Sequence, residues 1–328
     1  MFELAAIHAI LGPLPVVTHL KIIIRSSNLT IGIRLTLTLA FVLSYAKSAY
    51  PQLGMFSTEQ RIALTHEWKG ERFPDGRPKV PDSVLAGLKD VDAEEAQEEL
   101  SAHGFDGQFE GGWREVNPGG RMVGRVFTAV FMPLRPDVNA VINDHSKAEG
   151  HSGAQNTWPI DLLSPGDVLV VNIFDKIKEG AFAGDQLCTA IFAKTQNGLV
   201  VDGAVRRATN ISEIHGMHIF VRDFDPSVLS DSMLMGVNLP IRIGQTTVLP
   251  GDVALSDVEG ITFIPPQFAQ DVVDFSAMIR PIDEWGHQML REHRYNPGQI
   301  DGEWSKQMIH EYNLWLEHKG LKQRMPEK

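Results

Sequence analysis

Short apolar runs alternate with helical patterns through the middle of the chain. The four clearest runs are Met122–Phe131, Val168–Val171, Leu199–Val201 and His218–Val221. Runs rich in β-branched and aromatic residues are typical of buried strands. Helical patterns at Asp185–Ala193 and Thr209–His215 separate the last three runs. Strands that alternate with helices predict a parallel sheet with crossover helices, and therefore an α/β fold.

The segments on either side of this region have other patterns. Residues 47 to about 90 are rich in Pro, Gly and charge without a helical or strand period, which predicts an extended arm on the domain surface or on a neighbouring subunit. Asp92, with Glu95 three residues later, predicts a helix start, and that helix should run to about Ala102 before Gly104 ends it.

The second half of the chain changes from strands to helices. The predicted strands after Asn238 are Val237–Ile243, Thr246–Leu249, Val253–Ser256 and Ile261–Ile264. Two Pro-Gly-Asp sequences, at 165–167 and 250–252, predict type II turns, because proline fixes φ and glycine accepts the positive φ that follows. From about Asp283 the pattern is amphipathic and helical, with three tryptophans on its predicted buried face.

Composition limits the kinds of partner. The 328 residues carry a formal net charge of −11 and have no Lys/Arg-rich stretch, which argues against nucleic acid as a partner. A small anion can still bind where arginines cluster locally. Cys188 is the only cysteine, so no intrachain disulfide forms, and its place in an apolar helix predicts a small core residue.

The first 46 residues differ from the rest. They contain one acidic and three basic residues, and the short apolar run Leu35–Leu43 is followed by small residues. This order predicts a cleaved secretory signal, a periplasmic or secreted location, and no stable membrane association after cleavage. The alternatives are a membrane anchor and a transit peptide.

The stretch Leu199–Arg207 carries the clearest candidate chemistry. Its apolar run leads to Asp202-Gly203, which predicts a turn, and then to Arg206 and Arg207. A buried strand that ends in two guanidinium groups predicts an anion site at the rim of the sheet, because arginine binds carboxylates with two parallel hydrogen bonds.

Motifs over roughly residues 85 to 270 resemble those of the RraA-like family, which includes the 4-hydroxy-4-methyl-2-oxoglutarate aldolases. They are Gly124–Thr128, Pro165–Val171, Gly184–Leu187, Asp202–Arg206, Val237–Ile241, Pro250–Val253 and Glu259–Pro265. The resemblance implies a layered β/β/α domain of the swivelling phosphohistidine type and a homotrimer or homohexamer. We therefore divide the chain into a signal-like segment (1–46), an arm (47–84), an RraA-like α/β domain (85–280) and a helical extension (281–328).

In that family a pyruvate-like acid lies between the Gly184–Leu187 loop and the arginine. The resemblance implies that Gly184, Gln186 and Leu187 hold the carboxylate and that Arg206 stabilises a developing enolate. Asp185 resembles a carboxylate that orients metal-bound water, which makes it a candidate base. The alternatives are a helix N-cap for Asp185 and a surface ion pair for Arg206.

The family also uses a divalent metal, Mg or Mn by resemblance, held by an aspartate where this chain has Arg207. A guanidinium has no lone pair to offer a cation. Three explanations remain open: Arg207 replaces the ion's charge; Asp185 with His145 and His151 supplies new ligands; or the ligand is more anionic and the chemistry differs. The alternative for both histidines is a solvated polar loop.

The resulting hypothesis is a lyase that acts on a small α-keto or sugar-derived carboxylic acid through an enolate stabilised by Arg206. Two alternatives stay open. One is a non-catalytic RraA-like binding or regulatory protein, and the other is a dehydratase or decarboxylase of an acidic sugar without the usual metal site.

Overall fold

The computed structural model describes residues 57–327, and a nine-stranded mixed sheet lies at the centre of this range. The strands are β1 (Phe109–Gly111), β2 (Arg114–Val116), β3 (Val123–Pro133), β4 (Asp167–Ala181), β5 (Leu199–Val205), β6 (Ile219–Phe224), β7 (Ser232–Val237), β10 (Val253–Ser256) and β11 (Gly260–Ile264). Their order is β1-β11-β10-β3-β4-β5-β6-β2, and β7 pairs with β3. Strands β8 (Ile241–Ile243) and β9 (Thr246–Val248) form a separate two-stranded sheet.

Ten α-helices surround the sheet within residues 57–327. They are α1 (Thr58–Leu64), α2 (Asp82–Leu88), α3 (Ala93–Ala102), α4 (Pro136–Ala148), α5 (Trp158–Asp161), α6 (Asp185–Thr195), α7 (Ala208–Ile211), α8 (Ala269–Arg291), α9 (Pro297–Ile300) and α10 (Lys306–His318). Helix α3 begins as predicted, with a capping box between Asp92 and Glu95.

The parallel part of the sheet confirms the predicted α/β class. Strands β3, β4, β5 and β6 pair in parallel, so that Val170 lies opposite Val200 and Val200 opposite Phe220. Helices α4 and α5 connect β3 to β4, α6 connects β4 to β5, and α7 connects β5 to β6. These strands are buried on both faces, which is why they appear in the sequence as nearly continuous apolar runs.

Separate apolar clusters cover the two faces of the sheet. One joins β4 and β5 to α6 through residues such as Val201, Cys188 and Ile191. Another places Ile243 and Val248 of the β8–β9 pair against Val200. The C-terminal helices form their own cluster, in which Trp285 and Trp304 have ring centroids 4.6 Å apart, as expected for the buried face of a helical extension.

The arm is more ordered than the sequence pattern predicts. Helix α1 lies within the segment predicted to be extended, and Ser57 and Gln60 form its capping box. That box is visible in the sequence, but the short helix has too few apolar residues to produce a clear period. Arg77 anchors the arm to the sheet: its Nη1 and Nη2 donate to Asp167 Oδ1 and Oδ2 at 3.0 and 3.2 Å.

Two other sequence interpretations are wrong. Asp202-Gly203 is not a turn, because β5 continues through it to Val205. The backbone of Lys176 packs closely against this position: a Cβ atom at residue 203 would lie 3.1 Å from the carbonyl oxygen of Lys176, so any larger residue would need the neighbouring strand to shift. The C-terminal helical region begins at Ala269 rather than near Asp283, and α8 runs through Pro281 without ending.

Two predictions concern where in the cell the chain is located and how it assembles. The predicted signal segment, 1–46, lies outside the described residues, and the export and trimeric or hexameric assembly expected from the sequence stay predictions. Between residues 57 and 327, none of the helices combines the length and the apolar character needed to span a bilayer.

The two Pro-Gly-Asp turns have the same geometry but different charge environments. Gly166 and Gly251 have φ of +80° and +91°, as a type II turn requires. In each turn the aspartate accepts a hydrogen bond from the backbone N–H three residues earlier, at 2.9 Å for Asp167 and 2.8 Å for Asp252. Asp167 is also paired with a cation, whereas Oδ1 of Asp252 has no hydrogen-bond partner among the described residues.

Asp252 is expected to make folding dependent on pH. Burial raises the pKa of Asp252 to about 8. The folded protein therefore retains a proton that the unfolded chain releases near about pH 4, so this contribution to stability is complete below about pH 4 and is lost as the pH rises to about 8. Between pH 5 and 8, wild type should lose on the order of a few kcal/mol more unfolding free energy than Asp252→Asn. Urea denaturation measures the difference, and identical pH profiles would contradict the assignment.

Candidate functional site

A small cavity lies where β4 and β5 end and α6 begins. It has a volume of about 150 Å³ and is lined by Asp185, predicted as a catalytic residue, and by the predicted substrate-binding residues Gly184, Gln186, Leu187, Arg206 and Arg207. The carboxyl ends of parallel strands meet at one edge of a sheet, so the loop after β4 and the residues after β5 converge there although they are distant in sequence.

Arg206 crosses the cavity next to Gly184. Its backbone N–H donates to the carbonyl oxygen of Ala183 at 3.0 Å, which holds the end of β5 against the loop. A Cβ atom at position 184 would lie 3.4 Å from Arg206 Cζ, so a glycine there lets the guanidinium pass close to the backbone. The side chain is half-buried, and within residues 57–327 its guanidinium has no hydrogen-bond or ion-pair partner. Arg206 is therefore available to an anion.

The first turn of α6 adds backbone donors to the same cavity. Gly184 is the N-cap and contributes no side-chain cap, and the first helical hydrogen bond runs from Cys188 N–H to Gly184 O at 2.9 Å. The N–H groups of Asp185, Gln186 and Leu187 have no acceptor in the described part of the chain. Free N–H groups and the positive end of a helix dipole favour negative charge at this point.

Asp185 and Arg207 form an ion pair at the mouth of the cavity. Nη1 of Arg207 lies 3.2 Å from Oδ1 and 3.1 Å from Oδ2 of Asp185. The Arg207 side chain is 55% exposed and that of Asp185 25%. Asp185 therefore does not cap its helix through its side chain; instead, it balances the charge of an arginine.

The structure does not bring the predicted metal ligands together. His145 lies on α4, and His151 is stacked on Trp158 with its Nε2 3.7 Å from Glu149 Oε2. The cavity that contains His151 also contains Ser164, before the amino end of β4, whereas Asp185 follows the carboxyl end. In residues 57–327, no group of three or more His, Cys, Asp or Glu side chains has the spacing to hold a metal ion.

The residues of the small cavity also do not fit a divalent cation. Mg²⁺ and Mn²⁺ need several oxygen or nitrogen ligands with free lone pairs. The lining supplies one carboxylate, Asp185, and both of its oxygens already face Arg207. We therefore assign no step of the chemistry to a metal ion in this cavity.

A partly buried charge network centred on Asp202 of β5 was not predicted from the sequence. Nε of Arg222 donates to Oδ1 of Asp202 at 2.7 Å, and its Nη2 donates to Oε1 of Glu110 at 2.7 Å. Burial raises the pKa of Asp202, and the hydrogen bond from Arg222 opposes that rise. The network connects β5 to β6 and β1. Its member on β5, Asp202, lies four residues before Arg206. Its only signal in the sequence was Asp202 itself, which the turn interpretation obscured.

Cys188 is not a nucleophile. It is fully buried in α6, and burial raises the pKa of its thiol to about 12. We expect the thiol of the native protein to resist an aromatic disulfide reagent and to react after denaturation. Cys188→Ala should retain ligand binding and lose only about 1 kcal/mol of stability. Rapid labelling of the native protein, or loss of binding in the variant, would contradict this.

A larger cavity of about 1000 Å³ lies among α8, α9 and α10, with Asp283, His287 and Lys306 in its lining. No arginine is part of that lining, and the two helix N-termini in it, at Pro297 and Lys306, have side-chain caps from Asn296 and Ser305, unlike the start of α6. The smaller cavity is therefore the better candidate for anion chemistry, despite its size.

Comparisons with known proteins identify relatives of this chain. The family model "RraA-like: Aldolase/RraA" matches residues 91–263, slightly more than half of the chain. A Halalkalibacterium halodurans protein, named as a candidate 4-hydroxy-4-methyl-2-oxoglutarate aldolase, is 32% identical over 123 residues. That match covers 37% of this chain and 57% of the relative, so the chain spans little more than half of that protein.

Solved structures show the same fold. Streptomyces coelicolor RraAS2, described as an unusual member of the RNase ES inhibitor RraA family, has a TM-score of 0.55 and 26% identity, covering 65% of this chain and 99% of that one. An uncharacterised Pseudomonas syringae protein has a TM-score of 0.56 and 22% identity, covering 69% of this chain and 99% of that protein. The family model covers every residue of the small cavity, and the chain belongs to the RraA-like family.

Proposed function

We propose that the chain is a lyase that binds a small 2-oxo carboxylic acid in the cavity between Gly184 and Arg207. The observation that carries this proposal is the half-buried Arg206 guanidinium, without a partner in residues 57–327, beside the free N–H groups at the start of α6. A guanidinium fork and convergent amides are the donors that recognise a carboxylate and stabilise negative charge on a neighbouring oxygen.

The size of the cavity limits the ligand. A volume of about 150 Å³ is the volume that roughly five water molecules occupy in the liquid. This is below the range of roughly 300–1,000 Å³ that is typical of drug-sized ligands. The part of the substrate that enters the cavity is therefore a two- to four-carbon acid, and any longer substituent extends past Arg207 towards solvent.

The side chains support cleavage of the C3–C4 bond of a 4-hydroxy-2-oxo acid. Arg206 and the amides of Gln186 and Leu187 hold the carboxylate, and Arg206 also reaches the keto oxygen. Asp185 accepts the proton of the C4 hydroxyl, the C3–C4 bond breaks, and its electron pair forms the enolate. Arg206 stabilises the enolate oxygen until C3 takes up the proton from Asp185, which yields a 2-oxo acid and a carbonyl product.

An assay of pyruvate release by the full chain tests the proposal. The panel contains 4-hydroxy-4-methyl-2-oxoglutarate, shorter 4-hydroxy-2-oxo acids and oxaloacetate, with pyruvate measured by coupled oxidation of NADH. We expect release from at least one compound and competitive inhibition by oxalate, a mimic of the enolate. Asp185→Asn should lower kcat about 10²-fold or more while affinity for oxalate changes much less.

The alternative is a binding protein without catalysis. Oxalate binding together with no release from any compound would favour that function, whereas absence of both binding and release would overturn the proposed site. The RNase inhibitor description of the Streptomyces relative belongs to that protein, and the cavity itself favours a small ligand.

A further inference from the structure

Arg207 lies at the mouth of the cavity beside Asp185, and its backbone conformation holds it there. Its φ and ψ are 59° and 41°, in the left-handed region, and it is the N-cap of α7. Asn and Asp enter this region more readily than arginine does. This conformation turns the chain directly after β5 and points the guanidinium back towards the start of α6, within hydrogen-bond distance of Asp185.

The charge in the cavity favours an anion over a cation. Arg206 and Arg207 contribute two positive charges, Asp185 contributes one negative charge, and the positive end of α6 faces the same space. A divalent cation would be repelled by both arginines and would have to compete with Arg207 for the carboxylate of Asp185.

Arg207 also retains donors for a ligand. Only its Nη1 contacts Asp185, so the N–H groups of Nε and Nη2 remain without acceptors in residues 57–327. These donors lie on the same cavity as the unpaired guanidinium of Arg206.

We propose that Arg207 replaces the divalent cation, so that the cavity binds the dianionic form of its ligand without metal. Arg206 holds the carboxylate, and Arg207 joins Arg206 in stabilising the second negatively charged oxygen, which is the enolate oxygen or, in oxalate, an oxygen of the other carboxylate. This inference rests on the proposed 2-oxo-acid site and specifies its ligand class as small dianions whose charged oxygens lie on adjacent carbons.

The test measures oxalate binding to the full chain by calorimetry, in excess EDTA and in excess Mg²⁺ or Mn²⁺. For wild type we expect the two dissociation constants to agree within about threefold. Arg207→Asp places a second carboxylate beside Asp185, and aspartate tolerates the left-handed backbone. It should lose at least about tenfold in metal-free affinity and regain at least about tenfold when Mn²⁺ is added.

Arg207→Asn is the matched control, since it has the shape of aspartate and the same tolerance of positive φ but no charge. It should lose metal-free affinity without a response to Mn²⁺. Wild-type binding that disappears in EDTA and returns with Mn²⁺ would overturn this inference and leave the proposed site standing. Metal-free binding that persists within threefold in both variants would also overturn it, because Arg207 would then contribute nothing. Absence of oxalate binding in every condition would overturn the proposed site as well.

Discussion

Arg206→Ala is expected to lower the affinity of the full chain for oxalate by at least about a hundredfold. Removing one partner of a partly buried, hydrogen-bonded charge pair typically costs about 2–5 kcal/mol. Arg206 is the cation that lies directly against Gly184, so the variant removes both the fork that holds the carboxylate and the charge that stabilises the enolate. Calorimetric titration with oxalate, and with pyruvate as a monoanionic comparison, measures the loss.

The variant should fold normally, because the guanidinium of Arg206 has no partner to lose in residues 57–327. Its thermal midpoint should therefore match that of wild type. Arg206→Lys keeps the charge without the fork and should bind with intermediate affinity. Arg135→Ala removes an arginine that is 70% exposed and paired with Asp137, and it should bind like wild type. Unchanged oxalate affinity in Arg206→Ala would remove this arginine from the site.

Arg77→Ala is expected to destabilise the protein by about 3–5 kcal/mol. The Arg77 side chain is 1% exposed and that of Asp167 is fully buried. Without the guanidinium, the carboxylate of Asp167 remains buried with no cation, and Phe73 and Phe127 lose the cation between them, at 4.5 and 4.9 Å from their ring centroids. Equilibrium unfolding in urea measures the loss.

Two control variants separate the buried charge from the deleted volume. Arg77→Met with Asp167→Leu removes both charges and keeps apolar volume, so it should recover most of the stability lost in the single variant. Arg135→Ala, which breaks an exposed pair, should change the unfolding free energy by less than about 1 kcal/mol. A loss below 1 kcal/mol in Arg77→Ala would show that the arm is not anchored by this pair.

The parallel strands were predictable because burial on both faces imposes a simple sequence pattern. Val168–Val171 and Leu199–Val201 have no polar face, and both form buried parallel strands as predicted. The start of α3 was equally clear, since the capping box of Asp92 and Glu95 is purely local. Where local chemistry and burial agree, the sequence alone was sufficient to predict the element.

Features that depend on distant contacts were not predictable. Gly203 was interpreted as a turn residue because the contact that favours glycine there, with the carbonyl of Lys176, comes from another strand. The buried role of Arg77 was not predicted, because its partner Asp167 is 90 residues away in the sequence. The start of α8 was placed too late: the helix begins at Ala269 and contains Pro281, a residue that usually breaks or kinks a helix.

Some parts of the candidate site were predictable from the sequence and others were not. The cluster around Gly184 and Arg206 followed from the resemblance, and the six predicted cavity residues do line one space. His145 and His151 were chosen as metal ligands by residue type alone, and the fold places them away from Asp185. The ion pair of Asp185 with Arg207 needed coordinates, because no pattern in one sequence shows that two loops meet.

The most direct measurement is a crystal structure of the full chain with oxalate, grown in the presence of EDTA. The proposed site predicts one carboxylate within hydrogen-bond distance of the Arg206 guanidinium and of the N–H groups of Gln186 and Leu187, with the other carboxylate facing Arg207. Oxalate bound elsewhere, with Arg206 making no contact to it, would contradict the assignment of this cavity as the 2-oxo-acid site.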